Sequence, residues 1–251
     1  MRAGNRELEV SLIKGKPGKP ALILLHEGLG SARLWRDVPQ ILARDTGCTI
    51  VNYSRYGNGF SEALSAKRTP RYMHDEGLVA LPELLRELQI RDCVLLGHSD
   101  GASIALIYAG SGFPVRGLIL EAPHVFVEDL SVQSIAAARV AYESGDLRKR
   151  LARHHADGDR TFYGWNDIWL DPSFRDWNIE EYAMRVTAPV LLVQGENDEY
   201  GTREQLLAIR RATCGRVDEL LVGAAAHTPH RDRPDVVLPA IAGFVRELTE
   251  A

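Results

Sequence analysis

Cysteines are few in this sequence and form no recognisable pattern. The 251 residues include three, Cys48, Cys93 and Cys214. The number is odd, and no two of them have the C-x-x-C spacing of many zinc and redox sites. Each lies beside an apolar run, so the sequence predicts small buried thiols in a reducing compartment and excludes a disulfide-stapled scaffold.

Long apolar runs and excess charge are missing as well. The longest apolar runs, such as residues 21–25 and 220–226, are far shorter than the ~20 residues that cross a bilayer. The first residues also have no apolar core of signal-peptide length. Lys plus Arg is 30 and Asp plus Glu is 34, a net charge of −4, whereas a nucleic-acid binder is normally basic. We therefore expect a cytoplasmic protein that binds neither membranes nor nucleic acids.

What the sequence does contain is an alternation of two patterns. Short runs rich in Val, Ile and Leu, typical of strands buried on both faces, alternate with apolar residues at helical spacing. The predicted strands are residues 8–13, 21–25, 49–53, 93–96, 117–120, 190–194 and 219–222. The predicted helices are residues 34–44, 75–88, 101–109, 204–212 and 236–248. This alternation predicts an α/β fold with a mostly parallel sheet and helices on both faces.

Residues 126–185 interrupt the alternation. They contain several helical patterns and no convincing strand, and they are too long for an ordinary loop. We interpret them as a helical cap on a core domain made of residues 1–125 and 186–251. Three of the four tryptophans lie in this segment. Aromatic side chains in a cap either line a pocket or pack the cap onto the core, and we expect Trp165 and Trp169 to contact substrate.

The strongest functional signal is Gly-His-Ser-Asp-Gly at residues 97–101, directly after a predicted strand and directly before a predicted helix. It fits G-x-S-x-G, in which small neighbours let a serine occupy a strained turn with its hydroxyl above the sheet. The following helix supplies backbone N–H groups for an oxyanion. Ser99 is therefore the predicted nucleophile, and the N–H of Asp100 is one predicted oxyanion donor. The alternative is a glycine-rich turn that only packs the helix tightly on the strand.

A serine nucleophile needs a base, and the base needs an acid to orient it. Glu196, Asp198 and Glu199 follow the predicted strand 190–194. The carboxyl end of that strand lies on the rim of the sheet where Ser99 is expected. We select Asp198 as the acid and keep both glutamates as alternatives.

Two histidines follow the last predicted strand. We select His227 as the base, because the small residues before it let its loop curl over the sheet edge, and we keep His230 as the alternative. His124, just past the predicted strand 117–120, faces the same rim and is a candidate substrate contact. The basic run 147–155 has helical spacing, and we interpret it as a solvated helix face.

A second oxyanion donor is expected from the loop 26–30, which follows the predicted strand 21–25 and reads His-Glu-Gly-Leu-Gly. The Gly-x-Gly of this loop could begin a dinucleotide-binding fingerprint. Arg33 occupies the position of the third glycine, however, so we reject a dinucleotide site. We expect no other cofactor and no metal.

Together these motifs resemble the α/β-hydrolase superfamily, in particular its small capped esterase-like and lactonase-like members. The resemblance covers nearly the whole chain. It rests on segments in the family's order, namely His26-Glu27-Gly28, residues 54–61, residues 97–101, residues 195–198 and the loop carrying His227. It implies a mostly parallel sheet, usually of eight strands, with a helical cap inserted after the sixth strand. Since one clear strand precedes residue 21, we expect one of the family's two opening strands to be missing or brief.

The resemblance also assigns roles. Ser99 is implied as the nucleophile, Asp198 as the acid and His227 as the base. The oxyanion donors fall on Asp100 and Gly28, and a shift of one residue would move the second donor to Glu27.

Two residues depart from the family's pattern. Glu27 stands where the family usually has glycine, and Asp100 stands beside the nucleophile where many relatives carry an apolar residue. Two carboxylates would oppose an oxyanion unless they are neutralised, and Arg55 is a candidate partner for one of them. Either the two form a polar pocket that disfavours anionic groups, or both point away into hydrogen-bonded scaffold positions.

The predicted function is a serine hydrolase that cleaves a small, rather apolar carboxylic ester or lactone through an acyl-enzyme. One alternative keeps the fold and changes the reaction to C–C bond hydrolysis or a cofactor-free lyase reaction. The other alternative is a non-catalytic ligand-binding module, against which the complete triad order argues. The sequence leaves the natural substrate and the oligomeric state open.

Overall fold

The computed structural model describes residues 1–3 and 5–250. Two short strands, β1 (Arg2–Ala3) and β2 (Arg6–Glu7), form a small antiparallel ribbon. The main sheet has seven strands: β3 (Val10–Ile13), β4 (Ala21–Leu25), β5 (Thr49–Tyr53), β6 (Cys93–His98), β7 (Gly117–Glu121), β8 (Val190–Gly195) and β9 (Val217–Val222). They are arranged in the order β3-β5-β4-β6-β7-β8-β9. Only β3 runs antiparallel to its neighbour in this sheet, so the predicted mostly parallel sheet is confirmed.

Helices lie between the strands along the chain. They are α1 (Val38–Thr46), α2 (Tyr72–Asp75), α3 (Leu81–Glu87), α4 (Asp100–Gly110), α5 (Asp129–Ser144), α6 (Leu147–Leu151), α7 (Gly158–Leu170), α8 (Glu180–Ala183), α9 (Glu204–Ala212), α10 (Pro229–Asp232) and α11 (Pro234–Glu250). A π-helical turn, Glu76–Ala80, connects α2 directly to α3. Short 3₁₀ turns occur at Ala32–Trp35 and Pro172–Phe174.

The apolar runs of the strands are buried on both faces. Side chains alternate along a strand, so neighbouring residues of β4 belong to different apolar clusters. Ile23 packs in one cluster with Ile104 of α4, while Leu22 packs in the other with Ile241 of α11. Because β4 and β6 to β9 are parallel, their carboxyl ends lie at one edge of the sheet. The loops that leave this edge carry all the predicted catalytic residues.

The opening of the chain differs from the eight-stranded pattern that the resemblance implied. The sheet in the described residues has seven strands, and the ribbon of β1 and β2 is not part of it. The expectation of a missing or brief opening strand agrees with this sheet. The resemblance implied that the helical segment follows the sixth strand. It follows β7, the fifth strand of this sheet in chain order, because the sheet has one opening strand fewer.

Residues 126–185 are largely helical. They contain α5 to α8 and the 3₁₀ turn at Pro172–Phe174, and their described backbone has one isolated bridge, between Phe126 and Asn178. The rings of Tyr142 and Phe162 stack at 3.7 Å between centroids and join α5 to α7.

The structure also bears on two expectations that were drawn from the composition. No helix in the described part of the chain is long and apolar enough to cross a membrane. Cys48 and Cys93 are buried as predicted, but the prediction is wrong for Cys214, which is exposed. Cys214 lies in the turn between α9 and β9, where its thiol donates to the carbonyl oxygen of Met184.

Candidate active site

Ser99 lies at the turn between β6 and α4. Its backbone has φ of 54° and ψ of −118°, a strained conformation for a residue with a side chain and one that clusters at functional sites. The neighbouring glycines make the turn sterically possible. A Cβ on Gly97 would lie 2.3 Å from the carbonyl oxygen of Gly101, and a Cβ on Gly101 would lie 2.0 Å from that of Leu25. The packing of α4 against β4 and β6 therefore requires both glycines of G-x-S-x-G.

The structure brings Ser99, Asp198 and His227 together. Nε2 of His227 lies 3.0 Å from Oγ of Ser99, and Nδ1 lies 2.8 Å from Oδ1 of Asp198. An ionised carboxylate only accepts hydrogen bonds, so Nδ1 carries the hydrogen of the neutral imidazole. Nε2 then presents its lone pair to the serine hydroxyl, which is the geometry required for a proton transfer from Ser99 to His227.

Neighbouring groups hold the Asp198 carboxylate in place. The N–H groups of Tyr200 and Gly201 donate to Oδ1 at 2.9 and 3.3 Å, and the side-chain amide of Gln194 donates to Oδ2 at 3.1 Å. Burial alone would raise the pKa of Asp198, but the hydrogen bond from His227 and its charge lower the pKa well below the usual range. Asp198 is therefore ionised at neutral pH.

The alternative acids and the alternative base face other partners. Oε2 of Glu199 accepts the backbone N–H of His227 at 3.2 Å, and Glu196 is exposed. His230 is buried and donates to both oxygens of Glu121 at 2.7 Å, one bond from its backbone N–H and one from Nδ1. The geometry at Ser99 thus favours Asp198 and His227 over all three alternatives.

Side chains from the turn 54–61 fix the loop after β4. The backbone N–H of Arg55 donates to Nε2 of His26 at 2.9 Å, and the guanidinium of Arg55 donates to the carbonyl oxygen of Glu27 at 2.9 Å. The amide of Asn58 donates to the carbonyl oxygens of Gly28 and Gly30, both at 3.0 Å. The backbone of the predicted second oxyanion donor is thereby held in one conformation.

His155 is a further contact of this loop that sequence reasoning missed. It is buried, its Nε2 donates to the carbonyl oxygen of Leu29 at 3.0 Å, and its Nδ1 accepts the N–H of Gly59 at 2.8 Å. The interpretation of residues 147–155 as a solvated face is wrong at this position. The signal was present, because Leu147, Leu151 and His155 are spaced four residues apart and continue one stripe.

The carboxylates of Asp100 and Glu27 have different surroundings. Asp100 is buried, its Oδ2 accepts the hydroxyl of Tyr72 at 2.8 Å, and Arg55 lies 3.7 Å from the same oxygen. The scaffold interpretation therefore holds for the Asp100 side chain. It does not hold for Glu27, which lines the cavity in front of Ser99. Burial raises the pKa of Glu27, but the contact with His98 and its charge lower that pKa far more, so Glu27 is ionised.

A cavity of about 100 Å³ opens in front of Ser99. Its lining includes the sequence-predicted residues Glu27, Gly28, Ser99, His124, Trp165, Trp169 and His227, together with Leu29, Ile135 and Tyr200, which were not predicted. Burial, followed by the charge of His227, lowers the pKa of His124 to about 4, so this imidazole is neutral. Trp177, the remaining tryptophan of the helical segment, instead stacks on Phe174 at 5.2 Å between centroids.

Among the described residues, one buried group could be considered as a metal site. Ligand atoms of His98, Glu121 and His230 lie within 4.8 Å of one another. Both oxygens of Glu121 already accept hydrogen bonds from His230, and Nε2 of His98 lies 2.7 Å from the carbonyl oxygen of His227. Hydrogen bonds and charge account for the cluster, and we assign no metal to it.

The family model that describes the alpha/beta hydrolase family matches residues 22–240. This chain belongs to the alpha/beta hydrolase family. The match spans the loop after β4, the Ser99 turn and the loops that carry Asp198 and His227.

This chain has relatives that are named as a lipase and as a peptidase. It is 24% identical over 279 residues to the sn-1-specific diacylglycerol lipase ABHD11 of Xenopus tropicalis, covering 95% of this chain and 82% of that one. It is also 24% identical over 279 residues to a proline iminopeptidase of Saccharolobus solfataricus, covering 94% and 88%. Among solved structures, the esterase EaEST of Exiguobacterium antarcticum matches with a TM-score of 0.77 at 16% identity, covering 96% of each chain. At this identity the structural likeness shows the fold alone.

Proposed function

We propose that this alpha/beta hydrolase cleaves a small, rather apolar carboxylic ester or lactone through an acyl-enzyme. The observation that carries the proposal is the alignment of Ser99, His227 and Asp198 at a small cavity walled largely by aromatic and apolar side chains. A ligand-binding module has no need of a strained serine whose hydroxyl is hydrogen-bonded to a histidine–carboxylate pair.

The geometry supports the following steps. Oγ of Ser99 bonds to the substrate carbonyl carbon while Nε2 of His227 takes the hydroxyl proton, and ionised Asp198 stabilises the imidazolium. The backbone N–H of Asp100 at the start of α4, together with that of Gly28 or Glu27, binds the oxyanion. His227 then returns the proton to the leaving alkoxide, the C–O bond breaks and the acyl-enzyme forms. Water, deprotonated by His227, adds to the acyl carbon, and the imidazolium then protonates Oγ of Ser99 as the acyl C–O bond breaks and the acid product leaves.

Residues 126–185 act in this proposal as a cap over the site. The cavity that contains the core residues Ser99 and His227 is also lined by Ile135 of α5 and by Trp165 and Trp169 of α7. An aromatic roof of this kind excludes water from the reacting carbonyl and binds the apolar part of a substrate.

The size and charge of the cavity limit the acyl group. Its volume of about 100 Å³ is smaller than the ~150 Å³ cavity that holds benzene in an engineered protein, which favours short or compact acyl chains. Glu27 is ionised, His124 is neutral and the lining has no lysine or arginine. An anionic acyl group would therefore be repelled, and we expect uncharged substrates.

The test is turnover of p-nitrophenyl acetate by the wild type and by Ser99→Ala. We expect the substitution to lower kcat by about 10³-fold or more, since nucleophile and base act as a unit. A serine-directed phosphonate should label the wild type once and Ser99→Ala not at all, as measured by intact mass. Full activity of Ser99→Ala would refute the assignment of the nucleophile.

Matched substrates distinguish the reaction classes. The proposal predicts that a p-nitrophenyl ester is cleaved faster than the p-nitroanilide of the same acyl group. The reverse preference would favour a peptidase. Turnover of a substrate with an activated C–C bond, without formation of the phosphonate adduct, would favour the C–C hydrolase or lyase alternative.

A further inference from the structure

Glu27, His98 and the backbone of His227 form one chain of contacts beside the candidate site. Oε2 of Glu27 lies 3.5 Å from Nδ1 of His98, and Nε2 of His98 lies 2.7 Å from the carbonyl oxygen of His227. The chain connects the loop after β4, the Ser99 turn and the loop after β9. His98 is 1% exposed and the Glu27 side chain is 27% exposed, so solvent reaches this chain of contacts from the side of Glu27.

We propose that His98 is a positioning residue for the reaction: as an imidazolium paired with Glu27, it holds the backbone of His227 and so aligns the base with Ser99. This inference deepens the proposed function and rests on it. It gives His98, the residue between glycine and serine in G-x-S-x-G, a task that the mechanism above does not include.

The protonation of His98 follows from its two partners. A carbonyl oxygen only accepts, so Nε2 must carry a hydrogen. The ionised carboxylate of Glu27 opposite Nδ1 also only accepts, and at 3.5 Å this contact is an ion pair rather than a short hydrogen bond. Only the imidazolium has a hydrogen on both nitrogens.

The charges around His98 favour the same state. Two carboxylates face it, Glu27 from the loop after β4 and Glu121 from the end of β7, and its ring also faces the imidazoles of His227 and His230, each at 5.3 Å between centroids. Burial alone would lower the pKa of His98, but the two glutamates and the carbonyl oxygen of His227 raise it to about 9. Without this cation Glu27 would lose its counter-ion, and Glu121 would keep only the hydrogen bonds from His230.

This role also explains why position 27 has a glutamate where the family usually has glycine. A glycine at position 27 would leave the imidazolium without its closest counter-ion. Neutral His98 can donate through only one nitrogen, so the other nitrogen would face Glu27 or Glu121 without a hydrogen. Glu27 thus serves as the counter-ion of His98, while its carboxylate also borders the cavity.

The kinetic test compares Glu27→Gln, which removes the charge at equal size, with Glu27→Asp, which keeps it, and with His98→Gln. We expect Glu27→Gln and His98→Gln each to lower kcat about tenfold or more with KM changed less than about twofold, because alignment rather than binding is lost. The double variant should be no slower than the slower single variant, since both changes break one chain. Glu27→Asp should recover at least part of the lost rate. Glu204→Gln, an exposed change on α9, should have no effect.

A spectroscopic measurement shows whether His98 is protonated, independently of activity. With ¹⁵N-labelled histidine, the ring nitrogens of His98 should show an imidazolium in the wild type at pH 7.5 and a neutral imidazole in Glu27→Gln. A neutral His98 in the wild type would overturn the proposal, even if a variant failed to fold. So would a raised KM with unchanged kcat in Glu27→Gln, or losses that multiply in the double variant. If Ser99→Ala stays active, the proposed function fails, whereas the protonation of His98 is still measured directly.

Discussion

The indole of Trp165 lies directly against the backbone of Gly28. A Cβ at position 28 would be 2.2 Å from Cδ1 and from Nε1 of the indole, a separation that no real Cβ contact has. The contact joins α7 of the helical segment to the loop proposed to bind the oxyanion. Any side chain at position 28 must therefore displace either the roof of the cavity or the donor itself.

Gly28→Ala should lower kcat/KM for p-nitrophenyl acetate by about 10- to 100-fold, because a displacement of ~1 Å at a positioning group costs about that much. The matched control is Gly243→Ala in α11, where a new Cβ would be 3.9 Å from the nearest side-chain atom, on Arg246. This control should keep full activity and gain about 0.5–1 kcal/mol of stability. Wild-type kcat/KM in Gly28→Ala would show that the contact has no part in catalysis.

The elements with a strong repeating pattern could be predicted from the sequence. The predicted strands 21–25 and 49–53 and the predicted helix 204–212 have the bounds found in the structure. Each has a continuous buried run or one apolar stripe, so its pattern depends on local spacing alone. The predicted helix 75–88 begins earlier, at Tyr72, because its π-helical turn shifts the register of the stripe.

The candidate site shows where local patterns are insufficient. The G-x-S-x-G turn could be predicted because its glycines are required by contacts within the β6–α4 unit and with β4. The directions in which the side chains of Glu27 and Asp100 point could not be predicted. Each is set by a partner distant in sequence: His98 for Glu27, and Tyr72 for Asp100. Sequence patterns indicated that the carboxylates need partners, and they identified Arg55, which lies 3.7 Å from Asp100, but not His98 or Tyr72.

Asp198→Asn should lower kcat by about 10³–10⁴-fold, because an amide does not stabilise the imidazolium and favours the wrong tautomer of His227. Glu199→Gln is the matched control. It keeps an acceptor for the backbone N–H of His227, so kcat should stay within about tenfold of the wild type. Single-turnover kinetics of acylation with p-nitrophenyl acetate measures both. A larger loss in Glu199→Gln than in Asp198→Asn would reverse the assignment of the acid.

Tyr72→Phe should destabilise the fold by about 1–3 kcal/mol or more. The hydroxyl of Tyr72 donates to Asp100 and accepts Nε1–H of Trp169 at 3.0 Å, so its removal leaves two buried polar groups without this partner. Urea unfolding followed by fluorescence measures the loss. Tyr163→Phe, at a tyrosine that is 36% exposed, should change stability by no more than about 0.5 kcal/mol. Equal effects of the two substitutions would show that the buried hydrogen bonds add nothing.

The contribution of His98 to the stability of the fold should decrease as pH rises from 6.5 to 8.5. His98 has a pKa of about 9 in the folded protein and about 6.5 when unfolded, so its protonation stabilises the fold fully below the unfolded pKa. That contribution is lost as pH rises through the folded pKa, by about 2 kcal/mol over this interval. The groups that face His98 are Glu27, Glu121, His227 and His230.

Urea unfolding of the wild type and of His98→Gln at pH values from 6.5 to 8.5 isolates the contribution of His98 to stability. Buried histidines with a lowered pKa, such as His26 and His124, are neutral in the folded state over this interval, but their unfolded forms are partly protonated at pH 6.5. Each therefore adds about 0.4 kcal/mol of stability between pH 6.5 and 8.5, opposite in sign to His98, and does so equally in the wild type and in His98→Gln. Burial raises the pKa of Cys93 to about 12, and its effect begins only near the pKa of about 8.5 of an unfolded thiol. His98→Gln should therefore be less stable than the wild type at pH 6.5, and this difference should shrink by about 2 kcal/mol by pH 8.5. Parallel curves for the two proteins, or a difference that grows as pH rises, would contradict a protonated His98.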